Sequence, residues 1–111
     1  MALSKNYHLT REDSEYVFKK GKTVKNSFFF IRFLENKIGH YRIAILVSLM
    51  VSKSSVVRNR IRRIVSGILK TAILWNYPFD IVFVATPGIV GKPSREIKSG
   101  LMDVINTLFV K

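Results

Sequence analysis

The stretch SSVVRNRIRRIVSGILK, Ser54–Lys70, places four arginines and an asparagine within positions 58–63, between runs of Val and Ile. On a helical wheel, Val57, Ile61, Ile64, Val65, Ile68, Ala72 and Trp75 fall in one apolar arc, the stripe of a core-facing helix. Arg58, Asn59, Arg62, Arg63, Ser66 and Lys70 fall opposite it, with Arg60 at the edge. No acidic residue lies between Leu49 and Tyr77, so no i,i+4 partner relieves the repulsion. Like charges at that spacing destabilise a helix by roughly 0.2–0.5 kcal/mol per pair. Several such pairs on one face imply a strongly negative partner. Arginine rather than lysine points to phosphate, which its planar fork binds bidentately, and to bases, on which it stacks. Asn59 suits a base edge, a ribose or a phosphate, or a local capping role.

The rest of the chain agrees with a polyanionic partner. Nineteen Lys and Arg face seven Asp and Glu over 111 residues, for a net charge of +12. Such an excess points to nucleic acid first and an anionic membrane surface second. Residues 1–111 suit a single domain, and the 48% apolar content with eight Phe suits one modest ordered core. With no cysteine there is neither a disulfide nor a thiolate metal site, and nothing argues for an oxidising compartment. His8 and His40 lie far apart, without ligand spacing. The start, MALSKNYHLTRED, lacks a signal-peptide core, and the apolar run Ile43–Val51 is far shorter than the roughly 20 residues of a spanning helix. The expectation is a soluble, cytoplasmic protein.

Working outward, LTREDSEYVFKKG reads as a short helix. Thr10 is its N-cap, Glu12 and Asp13 lie in the first turn, Lys19 and Lys20 in the last, and Gly21 closes it; Val17 is buried, with Leu9 or Phe18. NSFFFIRFLEN is a strand, with Phe29, Ile31 and Phe33 on one face and Phe28, Phe30, Arg32 and Leu34 on the other. NKIG turns into a second strand, YRIAILVSLMV, suggesting an antiparallel hairpin. The arginine helix runs from about Ser54 or Ser55 to Trp75, and Pro78 bars its continuation. FDIVFVAT has the unbroken apolar character of a strand covered on both faces. PGIVGKPS is a loop, and a final helix is capped by Ser94 and buries Ile97, Leu101, Val104, Ile105 and Leu108. The order αββαβα is that of an α+β, two-layer sandwich with helices packed on a small central sheet.

A second basic cluster, Lys19, Lys20, Lys22 and Lys25, precedes the aromatic strand. One strand face must be core. The other, with Phe28, Phe30 and Arg32, is either further core or a platform on which single-stranded nucleic acid stacks. No catalytic constellation appears: Asp80 stands alone at the start of a buried strand, and Glu12, Asp13 and Glu15 share a helical turn with no His nearby. PGIVGKPS lacks the spacing of a phosphate-cradling loop. Any chemistry is expected to come from elsewhere.

VVRNRIRRIV, residues 56–65, closely resembles the Arg-Asn-Arg motif of the bacterial ribonuclease P protein subunit. The layout matches over nearly the whole chain: VFKKG closing a first helix, an aromatic strand, the arginine helix, FDIVFVA and a final amphipathic helix. The resemblance implies a partner, the catalytic ribonuclease P RNA, which with Mg²⁺ held by the RNA removes the 5′ leader from precursor tRNA. The protein would assist that endonuclease and be inactive alone. It implies RNA contacts for Lys53, Arg58, Asn59, Arg60, Arg62, Arg63 and Lys70. A cleft for the single-stranded leader would be lined by Phe18, Lys20, Phe28, Phe30 and Arg32. It also implies a left-handed βαβ crossover around the arginine helix, against a rule of hand obeyed in about 98% of cases. Neither a membrane nor an obligate protein partner is implied.

The chain departs from the family pattern at several places. Ser14 replaces an aromatic four residues before Phe18, Arg32 an aromatic at the end of the strand, and Ser66 and Thr86 arginines. LMVSKSS replaces a Lys-Lys-x-Gly-x-Ala segment, leaving only Lys53. The alternative is a free-standing RNA- or DNA-binding module, such as a ribosomal protein, with no part in catalysis. Binding to an anionic membrane is disfavoured because the apolar face of the helix is needed for the core.

Overall fold

The structure, a computed structural model, describes residues 8–71 and 78–109. Its elements are α1 (Arg11–Lys20), β1 (Lys22–Lys25), β2 (Phe29–Glu35), β3 (Arg42–Leu46), α2 (Ser55–Thr71), β4 (Phe79–Ala85), a 3₁₀ turn (Pro87–Ile89) and α3 (Ser94–Phe109). The αββαβα order holds, with β1 added as a short edge strand. The Lys-rich segment read as a basic junction pairs antiparallel with β2, Lys22 opposite Phe33 and Lys25 opposite Phe30. Lysines on an edge strand also discourage pairing with another chain.

The expected hairpin is not formed. The sheet order is β1-β2-β4-β3, with β4 antiparallel to β2 and parallel to β3. The physical reason is in FDIVFVA: β4 is buried over Asp80–Phe83, and the centre of a sheet is where such a strand is covered on both faces and both edges. The connection 36–41 therefore crosses two strand spacings, roughly 10 Å, with Gly39 at φ 95° in its turn. The unit β3–α2–β4 is a parallel crossover.

Residues paired in register share a face. Phe29, Ile31, Ile43, Ile81 and Phe83 pack with Ile61, Val65, Leu69, Ile97, Leu101 and Val104 of α2 and α3 in the main core. The two-layer expectation describes this side; α1 adds cover on the other, where Val17 and Leu9 meet Val82, Leu34, Ala44 and Val84. On that second face Arg32 and Arg42 reach α1, at Phe18 O and at Asp13 respectively. Helix α2 buries Ile61, Val65, Ile68 and Leu69, with Val57 and Ile64 half-buried. Ala72, Trp75 and the expected end of this helix lie outside the described residues.

The caps follow from local chemistry. Thr10 Oγ1 accepts from Asp13 N at 3.1 Å, and Ser54 Oγ from Val57 N at 3.3 Å. Helix α3 instead starts with Pro93 O accepting from Ile97 N at 3.2 Å, so Ser94 is its first helical residue rather than its cap. Gly21 ends α1 for a reason of space: a Cβ there would sit 2.6 Å from both Phe33 O and Val17 O. Its φ of −80° needs no glycine.

Asp80 is not alone. Buried to 7% exposure, it accepts from Arg42 Nε at 3.0 Å and Nη2 at 2.8 Å, and from Asn36 Nδ2 at 2.8 Å. Arg42 also reaches Asp13 of α1 at 3.1 Å. The hydrogen bonds Arg42 donates to Asp80, and then the Asp80 charge, outweigh burial and raise the Arg42 pKa further above its ordinary value. One guanidinium thus ties α1, β3 and β4 together.

Candidate nucleic-acid interface

The arginine face of α2 divides into two pairs. Arg60 and Arg63 are exposed, as are Asn59, Lys53 and Lys70. Arg58 and Arg62 are half-buried and fold back onto the β3–α2 connection. Arg58 Nη1 donates to Ser52 O at 2.9 Å; Arg62 donates to Asn59 Oδ1 at 2.7 Å and to Val47 O at 3.4 Å. Arg58, seven residues before the buried Val65, borders the apolar arc rather than opposing it, and Arg62 shares its flank. Two arginines of the motif hold the loop in shape, and the other two stand in solvent.

On the α1 side of the sheet, the register sets Lys25, Phe30, Val84 and Leu46 in one row and Thr23, Arg32, Val82 and Ala44 in the next. Beside them runs a groove of about 430 Å³, lined by Leu9, Arg11, Ser14, Glu15, Phe18, Ala44 and Leu46. Phe18 is 37% exposed and Leu46 41%; Lys20 is exposed at the end of α1. Ser14, small and turned to Thr10 O at 2.9 Å, leaves the groove open. Ala44 and Leu46 carry no motif of their own in the sequence. The signal available was their alternation in RIAIL, which sets both on the face of Arg42.

Phe28 is not with Phe30 and Arg32. Asn26 Oδ1 accepts from Phe28 N and Phe29 N at 2.9 and 3.0 Å, and Asn26 Nδ2 donates to Gly100 O at 2.8 Å. That turn breaks the alternation and lays the Phe28 ring against α3, where a Cβ on Gly100 would lie 2.7 Å from it. Phe28 therefore packs against the main core and is removed from the cleft set. Thr86 supports the same turn, its Oγ1 donating to Ser27 O at 2.7 Å.

Arg32 keeps its place on the groove side of the sheet but is tied to protein. Its Nη2 donates to Phe18 O and its Nη1 to Thr23 Oγ1 at 2.6 Å. Phe18 O belongs to the last turn of α1, whose carbonyls have no partner within the helix, and a cation there also suits the helix dipole. Arg32 is a tertiary cap for α1. At the end of β3, Leu46 lines the groove and the next carbonyl, Val47 O, accepts from Arg62 of α2.

Known proteins place this arrangement. The family model described as Ribonuclease P matches residues 3–108. The ribonuclease P protein component of Thermoanaerobacter sp. (strain X514) is 36% identical over 90 residues, covering 80% of this chain and 77% of that protein. That of Alkaliphilus metalliredigens is 30% identical over 112 residues, covering 95% of each. Among solved structures, a Staphylococcus aureus RNase P protein mutant described as defective in mRNA degradation activity superposes with a TM-score of 0.84 at 28% identity, over 94% of this chain and 89% of its own. With that match across nearly its whole length, and with the arginine helix and sheet where the resemblance required them, the chain belongs to the ribonuclease P protein family.

Proposed function

We propose that the chain docks the catalytic RNA of ribonuclease P through the α2 face and receives the 5′ leader of precursor tRNA along the groove between α1 and the sheet. Its role is to assist removal of the leader, giving the mature 5′ end in the cytoplasm. One observation carries the reading: in a chain of this family, an acid-free helix face presents Arg60 and Arg63 to solvent, while an apolar groove lined by Phe18 and Leu46 lies on the α1 side of the sheet. Phosphodiester hydrolysis is assigned to the RNA and its Mg²⁺. Arg42 holds Asp13 and Asp80, Arg11 lies 3.5 Å from Glu15, and no group of three or more His, Asp or Glu gathers among the described residues to hold a metal ion. None of those residues forms a helix long and apolar enough to cross a membrane. In this reading the protein needs no obligate protein partner.

The test is salt dependence. Each phosphate neutralised contributes roughly −0.9 to the slope of log K against log salt for a duplex, and about −0.7 for a single strand. R60A/R63A is expected to make the slope for the ribonuclease P RNA shallower by about 1.4–1.8 while leaving thermal stability unchanged. R58A, whose guanidinium is held by Ser52 O, is expected to change the slope less. A slope unaltered in R60A/R63A would make the face merely solvated.

A further inference from the structure

The connection between β3 and α2 carries apolar side chains that the core does not use. Leu49 is 66% exposed, Met50 85% and, at the start of α2, Val56 72%. The turn that carries the first two is built, not loose. Val51 N donates to Ser48 O at 3.0 Å, Met50 N to Ser48 Oγ at 3.2 Å, and Val51 itself is buried. Arg62 and Arg58 grip its two ends, at Val47 O and Ser52 O. Arg62 also lines, with Val56, Asn59 and Arg63, a surface groove of about 480 Å³, so turn and groove lie within one guanidinium's reach.

The groove has a defined hydrogen-bonding character. Arginine only donates, so the Asn59 oxygen accepts from Arg62, and the exposed residue's Nδ2 remains available as a donor. The exposed Arg63 adds further donors. The surface is therefore apolar on one side and rich in donors on the other. A second copy of this chain docked by the same face does not fit it, because no acidic residue lies between Leu49 and Tyr77 and arginines would meet arginines. A duplex alone offers phosphates but little apolar surface. An unpaired base offers an apolar face, an acceptor edge such as guanine O6 and N7, and a phosphate.

We propose that the Ser48–Val51 turn and the groove of Val56, Asn59, Arg62 and Arg63 form a receptor for an unpaired, acceptor-edged nucleobase of the bound RNA. Leu49 and Met50 cover the base face, Asn59 Nδ2 and Arg63 take its edge, and Arg62 fixes both parts. This rests on the RNA being the partner of α2, and it adds base contact to what is otherwise phosphate contact.

The experiment is a titration of the ribonuclease P RNA transcript over a salt series, with chemical probing of base edges, for the full chain and L49S/M50S. Both positions are surface ones, and an unchanged melting temperature checks the fold. The expected result is an affinity loss of about tenfold with an unaltered salt slope, and higher reactivity of one or a few unpaired bases in the variant complex. Unchanged affinity and reactivity would overturn the proposal, as would a loss that comes with a shallower slope. It would equally be overturned if the variant lost only self-association, or only binding to anionic phospholipid vesicles. If the wild-type chain binds the RNA but stimulates no cleavage, the processing role fails while the base receptor still stands or falls on the L49S/M50S comparison.

Discussion

Replacing Asp80 by Ala is expected to cost about 3 kcal/mol of folding stability, measured by urea unfolding. The side chain accepts three hydrogen bonds, two from Arg42 and one from Asn36, at 2.8–3.0 Å. Without it, Arg42 keeps only the half-exposed Asp13 as a charged partner and remains largely buried. Breaking a buried pair by removing one partner is costly because it strands the other charge, whereas replacing both with apolar groups of similar volume is often near neutral. R42M/D80L is therefore expected to recover much of the loss. For a domain of ordinary stability, about 5–15 kcal/mol, 3 kcal/mol is a large fraction. A D80A loss below about 1 kcal/mol would show that the network contributes little. Because the Arg42 pKa is raised in the folded state, its contribution is fully present below the ordinary arginine pKa. It is lost only as pH rises through the raised value, so no alkaline loss from this group is expected in the usual working range.

Replacing Arg32 by Met is expected to cost about 2 kcal/mol, the order of a hydrogen bond to a charged group. The guanidinium closes the last turn of α1 at Phe18 O and links it to Thr23, so the loss falls on the helix that walls the groove. The functional consequence is indirect. Protein-dependent affinity for precursor tRNA should fall in substrates with a long leader, while leaderless tRNA binding stays as in the wild type. Lysine keeps the charge but not the fork, and R32K is expected to lie between. Weaker leader binding in R32M with no loss of stability would instead make Arg32 a direct RNA contact. A leader-length series with no protein-dependent gain even in the wild type would remove leader binding from the groove altogether.

Most elements were legible because their information is local. Thr10, the 3.6-residue stripe Ile61, Val65 and Ile68, and the unbroken FDIVFVA each carry their own signal. Pairing was not local. That β4 lies between β2 and β3 depends on burying one strand on all sides, which no turn signal between residues 36 and 41 expresses. Strand β1 was hidden by its lysines, which suit an edge as well as a loop. On the candidate RNA face, residue types were readable and their division of labour was not. Arg58 and Arg62 share one flank of α2 and Arg60 and Arg63 the other, but the partners that decide which flank is occupied, Ser52 O and Val47 O, are backbone atoms of a folded loop. Phe28 left the cleft because Asn26, reaching 74 residues along the chain to Gly100, reset the start of the strand. The residue that joins Asp80 is likewise 38 positions away.

The central claim is that the acid-free face of α2 serves a catalytic RNA rather than an unrelated polyanion. Its most direct measurement is precursor tRNA cleavage by a bacterial ribonuclease P RNA at low Mg²⁺, with and without this chain. The account predicts that the protein alone cleaves nothing, that adding it to the RNA raises cleavage at the 5′ end of the mature tRNA, and that R60A/R63A reduces the gain. No stimulation of the cognate RNA by folded wild-type protein would contradict it.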